Sequence, residues 1–381
     1  MNTNATTSTP KPERARAPGK IILSGEHAVV YGAPALAVAI DHYTEVWFTP
    51  MHRSDGLLTA FENMSQGQIY PLKMLKGFKK NLDKRFNQFT RGELPVQEIL
   101  QRPDDLAIYT MASLLHNLPA TAENSVHHLP APGISATRHL PIPGQLSSRS
   151  DLPLGAGMGS SAAIIAATIV LYEQLLNHSQ TLDTRYERVR FCERLQHGKG
   201  SAIDAAAVVH GGISRIEDDV LSHPDLVKAH PLWSGQGWYW VLHGTPASST
   251  GECVETVRKI HGKDQSLWQD FAACTNALQS ALEGNGDPEA ALRENHRLLC
   301  HIGVVPASAQ RFIKAVELAG GVAKTCGAGA VRGDYGGVIL VHMSDADAME
   351  ALMSHYPEHR WEPLKIAPNG AHLSEKTNGA A

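Results

Sequence analysis

Three alternate glycines, Gly155, Gly157 and Gly159, run directly into two serines, Ser160 and Ser161, within the stretch LPLGAGMGSSAAIIAATIVLYEQLL from Leu152 to Leu176. Glycine tolerates positive φ and lets another group approach the backbone closely. The rest of the stretch is apolar and rich in helix formers, so the glycines stand at the mouth of a helix. A helix start carries unpartnered N–H groups and the positive end of the helix dipole. Gly155, Ala156, Gly157, Met158, Gly159, Ser160 and Ser161 are therefore expected to wrap an anion, and a phosphate suits that site. The two hydroxyls would either cap the helix or touch a metal.

Commoner phosphate loops do not fit. No lysine follows the glycines as G-x-x-x-x-G-K-[ST] requires, and the third glycine arrives one residue early for G-x-G-x-x-G. The hydrolase elbow G-x-S-x-G fails because Ala163 stands where its last glycine belongs.

The elements that must hold this loop are mixed. KIILSG and HAVVYG, broken by Gly25 and Gly32, are strand-like, and PALAVAIDHYTEVWF is largely extended. Phe78, Leu82, Phe86 and Phe89 fall at helical spacing in a basic segment, which predicts a core-facing stripe with a solvated lysine face. A further helix or two follow, interrupted near Pro103, and then a Pro-rich loop bearing His127, His128 and His139. DTRYERVRFCERLQHG is helical and stops at Gly198; AIDAAAVVHGG leads into strand-like sequence. Past Thr250 helices dominate, and a late glycine-rich run precedes a final helix and strand. Strands and helices mix without a strict βαβ rhythm, so the expected class is α+β.

Length and composition narrow the function. The chain has 381 residues, enough for two domains. A formal net charge of −4 argues against a general nucleic-acid binder. Met1–Arg16 is polar and Thr/Pro-rich without an apolar core, and no apolar run is long enough to cross a bilayer. A cytoplasmic location follows as the expectation, with residues 1–15 as a disordered tail, a first domain over 16–222 and a second over 223–381. Cys192, Cys253, Cys274, Cys300 and Cys326 are scattered without C-x-x-C spacing, as reduced thiols would be.

Four segments share the chemistry: APGKIILSGEHAVVYGAPALAVAI (17–40), SDLPLGAGMGSSAA (150–163), CERLQHGKGSAID (192–204) and KTCGAGAVRGDYGGVIL (324–340). Taken alone, Glu193 is a helix-surface glutamate and Lys20 an exposed lysine before a strand. Asp204, entering an apolar run, is either a cap or a charge that needs a partner. Together the segments resemble the GHMP kinases over roughly residues 15 to 345. The resemblance implies a two-domain fold, an N-terminal ribosomal-protein-S5-like α/β domain and a C-terminal ferredoxin-like α+β domain. It implies transfer of the ATP γ-phosphate to an alcohol, with Mg2+. Asp204 and Lys20 would be catalytic, Ser161 and Glu193 would hold magnesium, and Ser150 would join the loop at the nucleotide. Glu26, His27 and Thr250 would contact the substrate; His197, taken on its own residues, is either structural or stands behind the site. The first motif is most similar to that of members that phosphorylate mevalonate in isoprenoid biosynthesis. GKGSAIDAAA leans toward members that use 5-phosphomevalonate, and other small-molecule acceptors or a silent nucleotide binder are the further alternatives. Homodimer formation is left open; no nucleic-acid or membrane partner is implied.

The late motif departs from the family pattern. Cys326 replaces a threonine, and Ala330, Val331, Arg332 and Asp334 replace a glycine run. Arg332 is expected either to pair with Asp334 or to reach the phosphates.

Overall fold

The computed structural model of the protein describes residues 13–51, 56–62, 65–116, 143–225 and 230–374. Among them the chain builds two antiparallel-rich sheets flanked by helices, the α+β class expected. The His127, His128 and His139 loop lies outside the described residues.

The first sheet has the order β12-β1-β2-β5-β3-β4, with β6 on β2 and β7 on β6. Its centre is a long antiparallel pair, β1 (Glu13–Ser24) and β2 (Ala35–Pro50). Around it lie β3 (Gly56–Phe61), β4 (Ser65–Pro71), β5 (Gly144–Ser150), β6 (Ile213–Glu217) and β7 (Val220–Ser222). The final strand, β12 (His372–Leu373), returns to β1. Strand β1 begins at Glu13, so the last residues of the expected tail are folded; Ala15 is fully buried against Val46 of β2.

The second sheet, β11-β8-β10-β9, is wholly antiparallel. Its strands are β8 (Trp238–Leu242), β9 (Val322–Thr325), β10 (Val338–His342) and β11 (Trp361–Pro363). The chain passes from the first sheet to the second between Ser222 and Trp238.

Helix α1 (Leu75–Thr90) buries Leu82, while Phe78, Phe86 and Phe89 pack half-buried on the core as the spacing requires. Helix α2 (Asp105–His116) follows a short 3-10 turn at Val96–Glu98. Three helices then frame the site: α3 (Ser160–Leu176), α4 (Leu182–His197) and α5 (Ala202–His210). Helix α3 is buried around most of its circumference, which accounts for its unbroken apolar sequence. Helices α6 (Thr250–His261), α7 (Gln265–Leu282), α8 (Pro288–His301), α9 (Ala307–Leu318) and α10 (Ala346–Met353) belong with the second sheet. Side chains of Thr181, Ser201, Ser249, Asp264, Asp287 and Asp345 cap α4, α5, α6, α7, α8 and α10.

One strand-like run departs from expectation. Residues Ala28–Tyr31 of HAVVYG form a 3-10 turn, entered through His27 at φ 59° and left through Gly32 at φ 86°. A tertiary contact overrides the β-propensity of its valines: Tyr31 stacks on Trp268 of α7 at 4.1 Å between ring centroids.

Candidate active site

The glycine loop is held down by the strand that carries Lys20. The register of β1 on β2 shifts between Pro18 and Gly19, and such a bulge re-aims the residue that follows. The loop lies so close that a Cβ on Gly19 would sit 2.3 Å from Leu152 Cδ2 and 2.9 Å from Met158 O, so only glycine fits. The Lys20 N–H donates to Met158 O at 2.9 Å, and its ammonium donates to Gly157 O at 2.8 Å. Gly155, Gly157 and Gly159 all have positive φ, as their spacing suggests.

Helix α3 begins without a side-chain cap, because Gly159 occupies the cap position. Its first intrahelical bond runs from Ala163 N to Gly159 O, leaving the N–H groups of residues 160–162 without helical partners. An anion in the loop would meet those donors and the positive helix end.

Three helix ends converge beside this loop. Ser161 stands in the first turn of α3, Glu193 and His197 in the last turns of α4, and Ser201 and Asp204 at the start of α5. The Ser161 hydroxyl donates to Glu193 Oε1 at 3.0 Å and lies 3.4 Å from His197 Nε2. The Ser201 N–H donates to Glu193 Oε2 at 3.1 Å, while Ser201 Oγ caps the Asp204 N–H at 3.2 Å. Asp204 Oδ1 lies 3.1 Å from Lys20 Nζ. The sequence-derived set Lys20, Ser161, Glu193 and Asp204 is thus one cluster in space.

Its electrostatics favour a bound cation. Glu193 is fully buried, and burial together with the Asp204 charge pushes its carboxyl up to about 8. Two acidic side chains here share one ammonium, that of Lys20, so a second negative charge is disfavoured. A divalent cation held by the hard oxygens of Ser161 and Glu193 would relieve the imbalance, and magnesium prefers such donors with only a few from protein. The residues therefore fit the metal. Burial also holds the His197 imidazole below its usual range, in the neutral form.

The expected substrate contacts divide. Glu26 is buried and ion-paired with Lys324 of β9, which also donates to Leu23 O at 3.1 Å. His27 is buried next to it, with Nε2 in a hydrogen bond to Ala328 O at 3.0 Å, and burial lowers its imidazole to about 4. Both residues bind the first motif to the late glycine motif. Thr250 sits exposed in the first turn of α6. The threonine beside the loop is Thr245, whose Cγ2 would lie 3.5 Å from a Cβ on Gly155. Ser150 ends β5 and bonds Thr44 at 2.8 Å, while its Oγ accepts the Leu152 N–H at 3.2 Å, bracing the loop's entry.

Arg332 does not pair with Asp334. It makes a two-bond ion pair with Glu252 of α6, at 2.8 and 3.1 Å, on the exposed surface. Glu252 lies in the first turn of α6, where a carboxylate is favoured by the dipole and open to a partner. Lys324 was missed as a site residue; its signal was a lysine within the apolar strand VAKT.

A loop of backbone donors, an aspartate paired with a buried lysine, and an oxygen donor set are arranged as a phosphoryl-transfer site would require. Residues 126–212 match the GHMP kinases N terminal domain. The mevalonate kinase of Pyrococcus furiosus is 25% identical over 327 residues, covering 83% of this chain and 86% of that protein. The fold matches the Methanococcus jannaschii mevalonate kinase, at 18% identity and TM-score 0.70, over 94% of this chain and 100% of that one. It also matches L. major mevalonate kinase in complex with R-mevalonate, at 18% identity and TM-score 0.63, over 94% of each chain. Residues 126–212 thus carry a GHMP kinase N-terminal domain, and the chain is similar to ATP-dependent small-molecule kinases of that family. Within that family its similarity runs to mevalonate kinases. Among the described residues no helix is long and apolar enough to cross a membrane.

Proposed function

We propose that the protein transfers the γ-phosphoryl group of ATP to the primary hydroxyl of (R)-mevalonate, giving 5-phosphomevalonate. The observation that carries the reaction type is the Lys20–Asp204 pair at 3.1 Å, set against the glycine loop through Lys20 and Gly157. The acceptor is inferred from the relatives, which are named mevalonate kinases, and from the neighbour that holds R-mevalonate.

The chemistry follows from the geometry. The free N–H groups at the start of α3 and the loop backbone receive the phosphates. An ammonium has three donors, and Lys20 uses two of them on Asp204 and Gly157; the third is free for the transferring phosphoryl group. Lys20 also holds the Asp204 carboxylate in place through their ion pair. Asp204 accepts the hydrogen bond of the substrate hydroxyl and takes its proton as the new O–P bond forms and the bond to the leaving ADP oxygen breaks. Ser161 and Glu193 would hold magnesium, which neutralises phosphate charge when bound. Glu26, His27 and the Thr245–Thr250 segment would shape the acceptor side.

The deciding experiment measures ADP release from Mg-ATP with mevalonate, 5-phosphomevalonate, galactose and homoserine as acceptors. Turnover confined to mevalonate supports the reading. Turnover with another acceptor alone overturns it while leaving the kinase site intact.

A further inference from the structure

The Ser161 hydroxyl has two acceptors within reach, Glu193 Oε1 at 3.0 Å and His197 Nε2 at 3.4 Å. It has a single proton to give them. In this structure the shorter bond goes to Glu193, whose other oxygen already receives the Ser201 N–H. An oxygen that lends a lone pair to a cation keeps its proton, and that proton is repelled from the side the cation occupies. A carboxylate oxygen sharing the same cation is then a poor place to point it.

We propose that His197 is a positioning residue, whose Nε2 receives the Ser161 hydroxyl proton's hydrogen bond when Ser161 and Glu193 share a divalent cation. This deepens the reading of Ser161 and Glu193 as magnesium ligands and rests on it. The fold supplies the placement. His197 follows Glu193 by four residues, so both side chains project from one face of α4, and its ring comes 4.0 Å from the Glu193 carboxylate. The helix stops at once, at Gly198, with φ +80°. Phe89 of α1 closes against that turn, since a Cβ on Gly198 would fall 2.6 Å from its ring, and this fixes the end of the helix that carries the imidazole. Partners standing behind metal ligands commonly change metal affinity about 10- to 100-fold.

The test is ADP binding by isothermal titration calorimetry to the full chain, with magnesium and with EDTA. Wild type, His197→Leu and His197→Gln are compared. Glutamine places its amide oxygen near the position of Nε2; leucine has no acceptor. The expected result is equal ADP affinity in EDTA for all three proteins. The gain in affinity on adding magnesium falls about tenfold in His197→Leu and returns in His197→Gln. In a Ser161→Ala background, His197→Leu causes no further loss. If His197→Leu does not fold, His197→Asn replaces it, since asparagine is too short to reach Ser161. The inference is overturned if the leucine variant keeps the full magnesium gain, if glutamine fails to rescue, or if the EDTA affinity falls equally. A wild type without any magnesium gain overturns the metal-ligand reading along with it, which separates the two failures.

Discussion

Lys324 and Glu26 form an ion pair in which neither side chain is more than 1% exposed. Glu26 sits in the turn after β1, in the first motif, and Lys324 lies on β9 of the second sheet, so the pair clamps one sheet to the other. Burial raises the Glu26 carboxyl, and the ammonium opposes that rise. Removing one member leaves an uncompensated buried charge, whereas removing both does not. Lys324→Met is expected to lose about 3–5 kcal/mol of stability in urea titration, and the double variant Lys324→Met, Glu26→Leu clearly less than the sum of the singles. Additive losses would contradict the clamp.

Asp204→Asn keeps shape and loses the charge that faces Lys20. Turnover should fall about 10²- to 10⁴-fold while ADP affinity changes only a few fold. Stopped-flow turnover and calorimetry measure the two separately. A parallel collapse of nucleotide binding would place Asp204 in the phosphate site instead.

Gly159→Ala tests how tightly loop and lysine are packed. Its φ is +75°, and a Cβ there would lie 2.9 Å from Lys20 Cγ. The backbone strain alone should cost about 1–2 kcal/mol, seen as a lowered Tm. Displacement of Lys20 should reduce kcat about tenfold or more. A variant with normal turnover would show that Lys20 need not hold this position.

Arg332→Ala should do little. The pair with Glu252 is exposed, and water and salt screen such pairs so that they add little. The KM for ATP and kcat should both match wild type in steady-state assays. A rise in KM for ATP would mean that Arg332 leaves Glu252 for the phosphates during turnover.

His27 gives a pH signature in stability. Its imidazole titrates at about 4 in the fold against 6.5 in the unfolded chain, because burial disfavours the cation. Above pH 6.5 both states are neutral and the contribution is complete. Between 6.5 and 4 only the unfolded chain binds the proton, so stability falls as pH falls, by up to roughly 3 kcal/mol. His27→Gln keeps a donor for Ala328 O and should flatten that slope in denaturation curves at pH 4 to 7.

The sequence was most legible where backbone conformation dictates residue type. Gly155, Gly157 and Gly159 announced a positive-φ loop, and the apolar run after them announced a buried helix. The long helices past Thr250 were legible from their periodicity. Glu193 and Asp204 carried little local signal; the family resemblance, rather than their neighbours in the chain, brought them to the site. Sequence failed where the partner was remote. Nothing near HAVVYG reveals that Trp268 will stack on Tyr31, and nothing near Glu26 reveals Lys324, some three hundred positions on. Arg332 was open to its neighbour Asp334 or to the phosphates, but its partner here is Glu252 of α6. The sequence pointed to Thr250, whereas the threonine beside the loop is Thr245, because the placement depends on how the segment from β8 meets the glycine loop.

The return of β12 to β1 has a bearing on how the protein is made. Ala15 pairs with Leu373, the Ser374 N–H donates to Arg14 O, and Ile366 bridges Ile40. A chain emerging from the ribosome presents β1 before the second sheet, and the outer neighbour of β1 only after that sheet has been synthesised. Until then the outer edge of β1 stays open, a template for pairing with other chains. The strand bearing Lys20 is therefore translated well before the segment that covers its outer edge, with the whole second sheet between them.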